Sequence, residues 1–340
     1  MSSYMRYKPE WIREDFVDFI AEKIHPTWAW KRVKAVVLNH DALSDDFFKI
    51  QIRPNQNFKS LLVKAGQYVL VTLVINGIRQ QRAYSIIEIS KDGDLTIAVR
   101  TQGLVSQELA KMSVGDVLEI SQSQGEFELK HEQKQILLIA SGSGITAIYS
   151  LLKEALRYNF EEIDLIYFTR DNAFHVELEA LAKQYKNFTY HHFNTLVNKQ
   201  HLTKVLLEER IPLFKQRMTY ACGTKEMMLH LQKLYQDLEI SNQLKKEYFQ
   251  VHVDDSLEAQ PVIFLRAQQE FEAEGNLLEG AEKAGLKPTH GCRMGVCNTC
   301  TCTKVSGLTK NMLTGEINHE PNSQIKLCIS QAISPVVINL

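Results

Sequence analysis

Four of the six cysteines in this 340-residue chain crowd into one stretch, Cys292, Cys297, Cys300 and Cys302. Cys292-x4-Cys297-x2-Cys300, completed by Cys328, is the spacing by which four thiolates hold a [2Fe–2S] cluster. Gly291 and Gly295 let such a loop fold tightly around inorganic sulfide and aim backbone N–H groups at it. A four-cysteine zinc module is the alternative, but such sites pair two short Cys-to-Cys knuckles, and only one is present. Cys302, two residues beyond a ligand on an emerging strand, reads as a small buried core residue.

A second group of residues suits a flavin. Arg82-Ala83-Tyr84-Ser85 follows a turn at Asn76-Gly77 and sets a cation, a ring and a hydroxyl on one strand end. An Arg pairs with a phosphate, a Tyr lies against an isoalloxazine, and a Ser reaches its ring nitrogens. Alone, these four residues are an ordinary alternating strand; the cysteine cluster gives them weight. Arg100 and Gly103-Leu104-Val105-Ser106, leading into a helix, add backbone donors suited to a flavin phosphate or pyrophosphate. FAD and FMN both present that phosphate.

Gly142-Ser143-Gly144-Ile145-Thr146-Ala147 sits between the strand ILLIA and a helix, the context of a dinucleotide loop, with Gly142, Gly144, Ile145 and Thr146 as candidate contacts. The next strand ends in Thr169-Arg170-Asp171. Arg170 would meet a 2′-phosphate and Asp171 a plain ribose, so NADPH and NADH both stay open, with a lean to NADPH. Ala221-Cys222-Gly223 brings a thiol and a flexible backbone to the carboxyl edge of the same sheet, although a buried core cysteine reads equally well.

The elements that must position these residues follow from periodicity. From about Arg32 to Leu129, short alternating runs such as FFKIQIRP and QYVLVTLV, broken by Asn, Asp and Gly turns, predict an antiparallel β-barrel. After Gln135, buried strands alternate with helices, which predicts an α/β domain with a parallel sheet. Past Asn242 the pattern turns polar and then β-rich. The expected domains are an N-terminal helical extension (1–30), a flavin-binding barrel (31–131), a nucleotide domain (132–242) and a cluster domain (243–340). Ile12, Phe16, Phe19, Ile20 and Ile24 recur at helical spacing from Pro9 to Ile24, with Glu14, Asp15, Asp18 and Glu22 opposite them. This predicts a helix packed on the body by its apolar side, joined by Trp28 and Trp30; its acidic polar side argues against a basic membrane-surface helix.

Charge is nearly balanced, 39 Lys+Arg against 40 Asp+Glu, which argues against nucleic acid as a partner. The start MSSYMRYKPEW has no secretion-signal core and no apolar run approaches a transmembrane segment, so the expectation is a soluble cytoplasmic protein, able to dock peripherally on a membrane-bound partner. From Glu247 to Leu340 there are eleven acidic and seven basic residues, which favours a partner with a basic patch.

In chain order these residues resemble the ferredoxin–NADP reductase superfamily. RAYS is similar to its flavin signature RxYS, Ala65-Gly66-Gln67-Tyr68 to its PGQY, GSGIT to its nucleotide loop, and ACG to its nicotinamide-side CG. The C-terminal segment resembles a plant-type ferredoxin domain of α+β, β-grasp fold, giving the domain order of phthalate-dioxygenase-reductase-type fusions. The resemblance implies an NAD(P)H:acceptor oxidoreductase in which Tyr84, Ser85, Thr146 and Cys222 line the cleft where flavin and nicotinamide meet. Electrons would leave through the cluster to a one-electron acceptor protein. That acceptor would be a di-iron fatty-acid desaturase or another oxygenase; a ring-hydroxylating dioxygenase is the alternative. Two rival readings are an electron-transfer module without its own nucleotide oxidation and a diaphorase acting on small acceptors. The pattern departs at Ala65 and Ala147, where the family often has Pro, and lacks the C-terminal aromatic that covers the flavin in single-domain plant reductases.

Overall fold

The computed structural model describes residues 14–158, 160–197, 200–249 and 256–340. Among them, β1 (Val33–Ser44), β2 (Phe47–Pro54), β3 (Tyr68–Ile75), β4 (Ile78–Ile89), β5 (Leu95–Arg100) and β6 (Val117–Ile120) close an antiparallel barrel in the order β1-β2-β5-β4-β3-β6. Alternation along the strands sends Val37, Ile50, Ile52, Val69, Val71 and Ile97 into its interior. Asn76 and Gly77 join β3 to β4 with φ of 52° and 77°, the geometry a two-residue hairpin turn requires. That register sets Tyr84 opposite Val69 and Ser85 opposite Tyr68.

The second body is a parallel sheet in the order β11-β10-β7-β8-β9, from β7 (Gln135–Ser141), β8 (Glu162–Thr169), β9 (Phe188–Asn194), β10 (Met218–Cys222) and β11 (Leu244–Glu247). The helix after β7 leads to β8 on one side, while β10 lies on the other. Loops leaving β7 and β10 therefore diverge and open a crevice at the carboxyl ends. The nucleotide domain was expected to end at 242, but β11 pairs in parallel with β10 and belongs to this sheet. The polar run hid the strand because an edge strand needs no second buried face.

The C-terminal body holds β12 (Gln260–Phe264), β13 (Gln269–Ala273), β14 (Thr301–Ser306), β15 (Thr309–Asn311), β16 (Ile317–Asn318), β17 (Ser323–Lys326), β18 (Ser330–Ala332) and β19 (Val336–Ile338). They form one sheet ordered β13-β12-β19-β14-β17 and a small one ordered β16-β15-β18. Cys302 lies buried in this core, as its position implied, and burial pushes its thiol up to about 12.

The helices are α1 (Glu14–Ile24), α2 (Leu104–Ala110), α3 (Ile145–Arg157), α4 (His175–Gln184), α5 (Lys204–Arg210), α6 (Lys225–Asp237) and α7 (Leu277–Lys283). α3 joins sheet to barrel: the Gly66 N–H donates to Ser150 Oγ at 3.1 Å, and a Cβ on Gly66 would meet the Phe127 carbonyl oxygen at 1.8 Å.

α1 packs the opposite way from the expectation. Asp18 is fully buried, accepting from the Trp30 N–H at 2.5 Å and from Arg32 Nε at 2.5 Å, while Glu22 pairs with Lys34. Phe16, Phe19, Ile20 and Ile24 are left 65%, 56%, 46% and 68% exposed, and Trp28 and Trp30 are about half exposed at 53% and 49%. The barrel interior is already filled by its own strands, whereas Arg32 and Lys34 beside it need anionic partners, so the acidic side of the helix docks. The part of the expected helix before Glu14, with Ile12, lies outside the described residues.

Candidate functional site

The hairpin register brings Arg82, Ala83, Tyr84 and Ser85 to one barrel end, facing Gly103, Leu104, Val105 and Ser106 at the start of α2. With Arg100, Ser143 and Thr146 they line a cavity of about 460 Å³. Its far wall is the cysteine loop itself, through Cys292, Arg293 and Met294. Beneath that wall, Cys292 and Cys297 pack with Met294 and Val296 against Tyr68, Leu70 and Ala83 of the barrel.

The cavity fits an anionic cofactor. Nε of Arg100 and Nε of Arg293 are buried without hydrogen-bond partners, while the outer nitrogens of the two guanidiniums pair with Asp171 and Glu282. Burial, and then the neighbouring Arg293 charge, pull the Arg82 pKa down, so an anion beside them would relieve an unfavourable arrangement. Burial pushes the Tyr84 phenol up and keeps the ring neutral. The N–H groups of Gln102 and Gly103 both donate to Ser106 Oγ at 2.9 Å, so of the expected donors the one at Gly103 is taken by the capping serine.

A second cavity, about 920 Å³, opens at the carboxyl ends of the parallel sheet and shares Arg100, Gln102, Ser143 and Phe249 with the first. Gly142, Gly144, Arg170 and Gly223 line it. A Cβ on Gly144 would lie 2.2 Å from the Cys222 carbonyl oxygen, and one on Gly223 would lie 2.2 Å from Ser141 Oγ. Ser141 Oγ also accepts from the Thr224 N–H at 2.7 Å, so the loops after β7 and β10 are stitched at van der Waals distance. Asp171 is ion-paired with Arg100 and accepts from the Ala173 N–H, whereas Arg170 stands exposed in the cavity.

Two expected residues line neither cavity. Ile145 is fully buried in the core beneath α3, where its apolar side chain anchors the loop. Cys222 is likewise fully buried, with its thiol pushed well above its ordinary pKa by burial; its backbone packs on Gly144. Thr146 does face the first cavity and donates to the Ser143 carbonyl at 3.1 Å.

Residues that sequence reasoning missed come from β11 and the turn beyond it. Phe249 lines both cavities and a third of about 570 Å³, where Glu247, Tyr68, Ser85 and Met294 meet. A second aromatic ring besides Tyr84 therefore stands at the junction, where the sequence assigned no residue in place of the missing C-terminal aromatic. Glu247 Oε2 is buried without a partner, and burial pushes the carboxyl up to about 8 against the pull of Lys245. The signal was the sequence Glu247-Tyr248-Phe249, read as linker once the strand before it had been missed.

The cysteines stand as two pairs. Cys292 and Cys297 exchange N–H···S bonds of 3.3 and 3.2 Å, and the Cys300 and Cys328 sulfurs lie 3.3 Å apart. Within each pair the neighbouring sulfur favours one thiolate, lowering Cys297 beside Cys292 and Cys300 beside Cys328. Met294 and Gly295 also donate N–H groups to sulfur, at 3.4 and 3.3 Å. Four sulfurs standing in two pairs are a donor set that suits a two-iron group. The glycines are needed: a Cβ on Gly291 would lie 2.9 Å from Cys297 Sγ, and Gly295 has a φ of 75°.

Comparison with known proteins agrees with this division. Residues 34–129 match the oxidoreductase FAD-binding domain, 138–233 the oxidoreductase NAD-binding domain, and 263–332 the 2Fe-2S iron-sulfur cluster binding domain. An NADPH oxidoreductase of Mycobacterium tuberculosis is 26% identical over 332 residues, covering 93% of this chain and 86% of its own. The heme-dependent oxidative N-demethylase beta subunit of Ectopseudomonas mendocina is 28% identical over 289 residues, covering 81% and 89%. Phthalate dioxygenase reductase has the same fold, with a TM-score of 0.63 at 23% identity over 91% of this chain and 98% of that one.

Proposed function

We infer that this chain, an NAD(P)H-dependent oxidoreductase of the ferredoxin-reductase type carrying FAD and a [2Fe–2S] cluster, delivers single electrons to a partner oxygenase. The observation that carries the reading is the shared wall: one cavity is lined at once by Arg82–Ser85 and by Cys292–Met294. Flavin bound there would accept a hydride equivalent from the nicotinamide and return electrons singly to the cluster.

Each residue then has a task. Arg82, with Arg293 beside it, would meet the flavin phosphate, Tyr84 would cover a ring face, and Ser85 would offer its hydroxyl to the ring nitrogens. Thr146 holds the nucleotide loop through Ser143. Phe249, at the junction of the cavities, keeps water out until nucleotide enters. Cys292, Cys297, Cys300 and Cys328 would hold the cluster. The freedom of Arg170, beside an Asp171 already paired with Arg100, favours NADPH over NADH.

An oxygenase acceptor is supported by the relatives named as its reductase or electron-transfer parts, among them the toluate 1,2-dioxygenase component of Pseudomonas putida and the glycine betaine monooxygenase subunit of Chromohalobacter salexigens. Within that class we propose a membrane fatty-acid desaturase, on the resemblance of the cluster loop and N-terminal helix.

The test is a Cys297→Ser variant. We expect NADPH-driven ferricyanide reduction to persist while cytochrome c reduction falls to background; an unchanged cytochrome c rate would remove the cluster from the electron path.

A further inference from the structure

We propose that α1 and the Thr27–Lys31 segment seat this protein on an anionic bilayer surface. Four apolar side chains of one helix, Phe16, Phe19, Ile20 and Ile24, face outward together, and a soluble domain rarely leaves such a ridge uncovered. The orientation is enforced. Asp18 and Glu22 are tied to Arg32 and Lys34, so the helix cannot roll its apolar side inward without leaving these charges unpaired.

Trp28 and Trp30 extend the ridge, and their backbone is pinned to the barrel. Asn55 Nδ2 donates to the Thr27 and Arg32 carbonyls at 2.9 and 3.1 Å, and Asn57 Nδ2 to the Ala29 and Arg32 carbonyls at 3.0 Å each. Between helix and segment an apolar cavity of about 710 Å³ opens, walled by Val17, Ala21, Trp28 and Trp30. An aromatic–aliphatic surface of this kind suits the headgroup–acyl boundary, where Trp is favoured.

Charge chooses a bilayer over a second copy or a protein groove. Lys23 Nζ lies 5.5 Å from the Phe19 ring centroid and Lys31 Nζ 5.2 Å from that of Trp30. The Lys23 ammonium rims an apolar side chain, as it must to reach a lipid phosphate while the ring below is immersed. Of the four acidic residues of α1, Asp18 and Glu22 face the barrel and do not oppose anionic lipid. The thirteen residues preceding α1 carry Arg6, Lys8 and Arg13 against Glu10 alone, among Tyr4, Tyr7, Trp11 and Ile12. That chain length outside the described helix continues the same cationic and aromatic chemistry.

The three tryptophans of the whole chain are Trp11, Trp28 and Trp30, so intrinsic fluorescence reports this region alone. The experiment floats the full-length holoprotein with phosphatidylcholine vesicles, with and without phosphatidylglycerol, and records emission with brominated lipid. We expect flotation that rises with anionic lipid, a blue shift, and quenching by bromine. A Phe19→Glu/Ile20→Glu variant should lower the floated fraction about ten-fold or more while leaving ferricyanide reduction unchanged. Lys23→Glu should weaken binding to anionic vesicles more than to zwitterionic ones. No flotation and no quenching on either lipid, or a concentration-dependent dimer that the double variant abolishes, would overturn the proposal. The unchanged ferricyanide rate separates any such failure from a failure of the reductase reading.

Discussion

Arg170 and Asp171 are neighbours at the end of β8, yet folding gives them opposite tasks. Asp171 is drawn to Arg100 across the junction of barrel and sheet, and Arg170 is left facing the nucleotide cavity. We expect Arg170→Ala to raise the KM for NADPH roughly ten-fold or more, the size of a lost charge-assisted hydrogen bond, with little change for NADH. Steady-state kinetics with both nucleotides checks this; equal losses would remove Arg170 from the 2′-phosphate. Gly144 makes a second residue-scale point. An added Cβ meets backbone of Cys222 and Gly223 at 2.2 to 2.7 Å, and backbone cannot swing aside. Gly144→Ala should therefore cost about 1–3 kcal/mol, seen as a lower melting temperature, and weaken NADPH binding in the same protein.

At the scale of elements, β11 shows what a missed edge strand can carry. It delivers Glu247 and Phe249 to the cavities, and its polar sequence concealed both. The Glu247 carboxyl is pushed up to about 8 from an ordinary 4.5, so the folded protein holds a proton there that the unfolded chain has already released. Stability from this group is therefore lost as pH rises through that window, and the full penalty is present above it. Glu247→Gln removes the titration. We expect the melting-temperature difference, variant minus parent, to grow in favour of the variant from pH 5 to pH 9; a pH-independent difference would deny the raised pKa. α1 teaches the same lesson with opposite sign: its periodicity was correctly helical, but two ion pairs outweighed the apolar stripe in deciding which face docks.

For the whole molecule, the decisive arrangement is a cluster loop seated on the flavin barrel, with the nucleotide crevice opening from the other side of the same junction. On the proposed function, the outer surface of the acidic C-terminal segment would take the partner. Reduction of a cationic protein acceptor should slow several-fold between about 0.05 and 0.5 M salt as screening removes steering, while reduction of anionic ferricyanide should not slow. Stopped-flow rates against ionic strength test this; parallel responses would mean that docking does not use that charge.

The sequence by itself determined the three kinds of domain and their order, because strand alternation, α/β alternation and cysteine spacing are local patterns. It also determined the tight glycines of the cluster loop and nucleotide loop, since side chains crowding Gly291 and backbone crowding Gly144 admit little else. Only the tertiary structure decided which groups share a cavity. Arg293 beside Arg82, Asp171 bound to Arg100, Cys222 withdrawn into the core and Phe249 at the junction all depend on contacts between residues far apart in the chain. The facing of α1 belongs with them: hydrophobic periodicity says that a helix has two sides, but the partner charges on the barrel choose which side is turned inward.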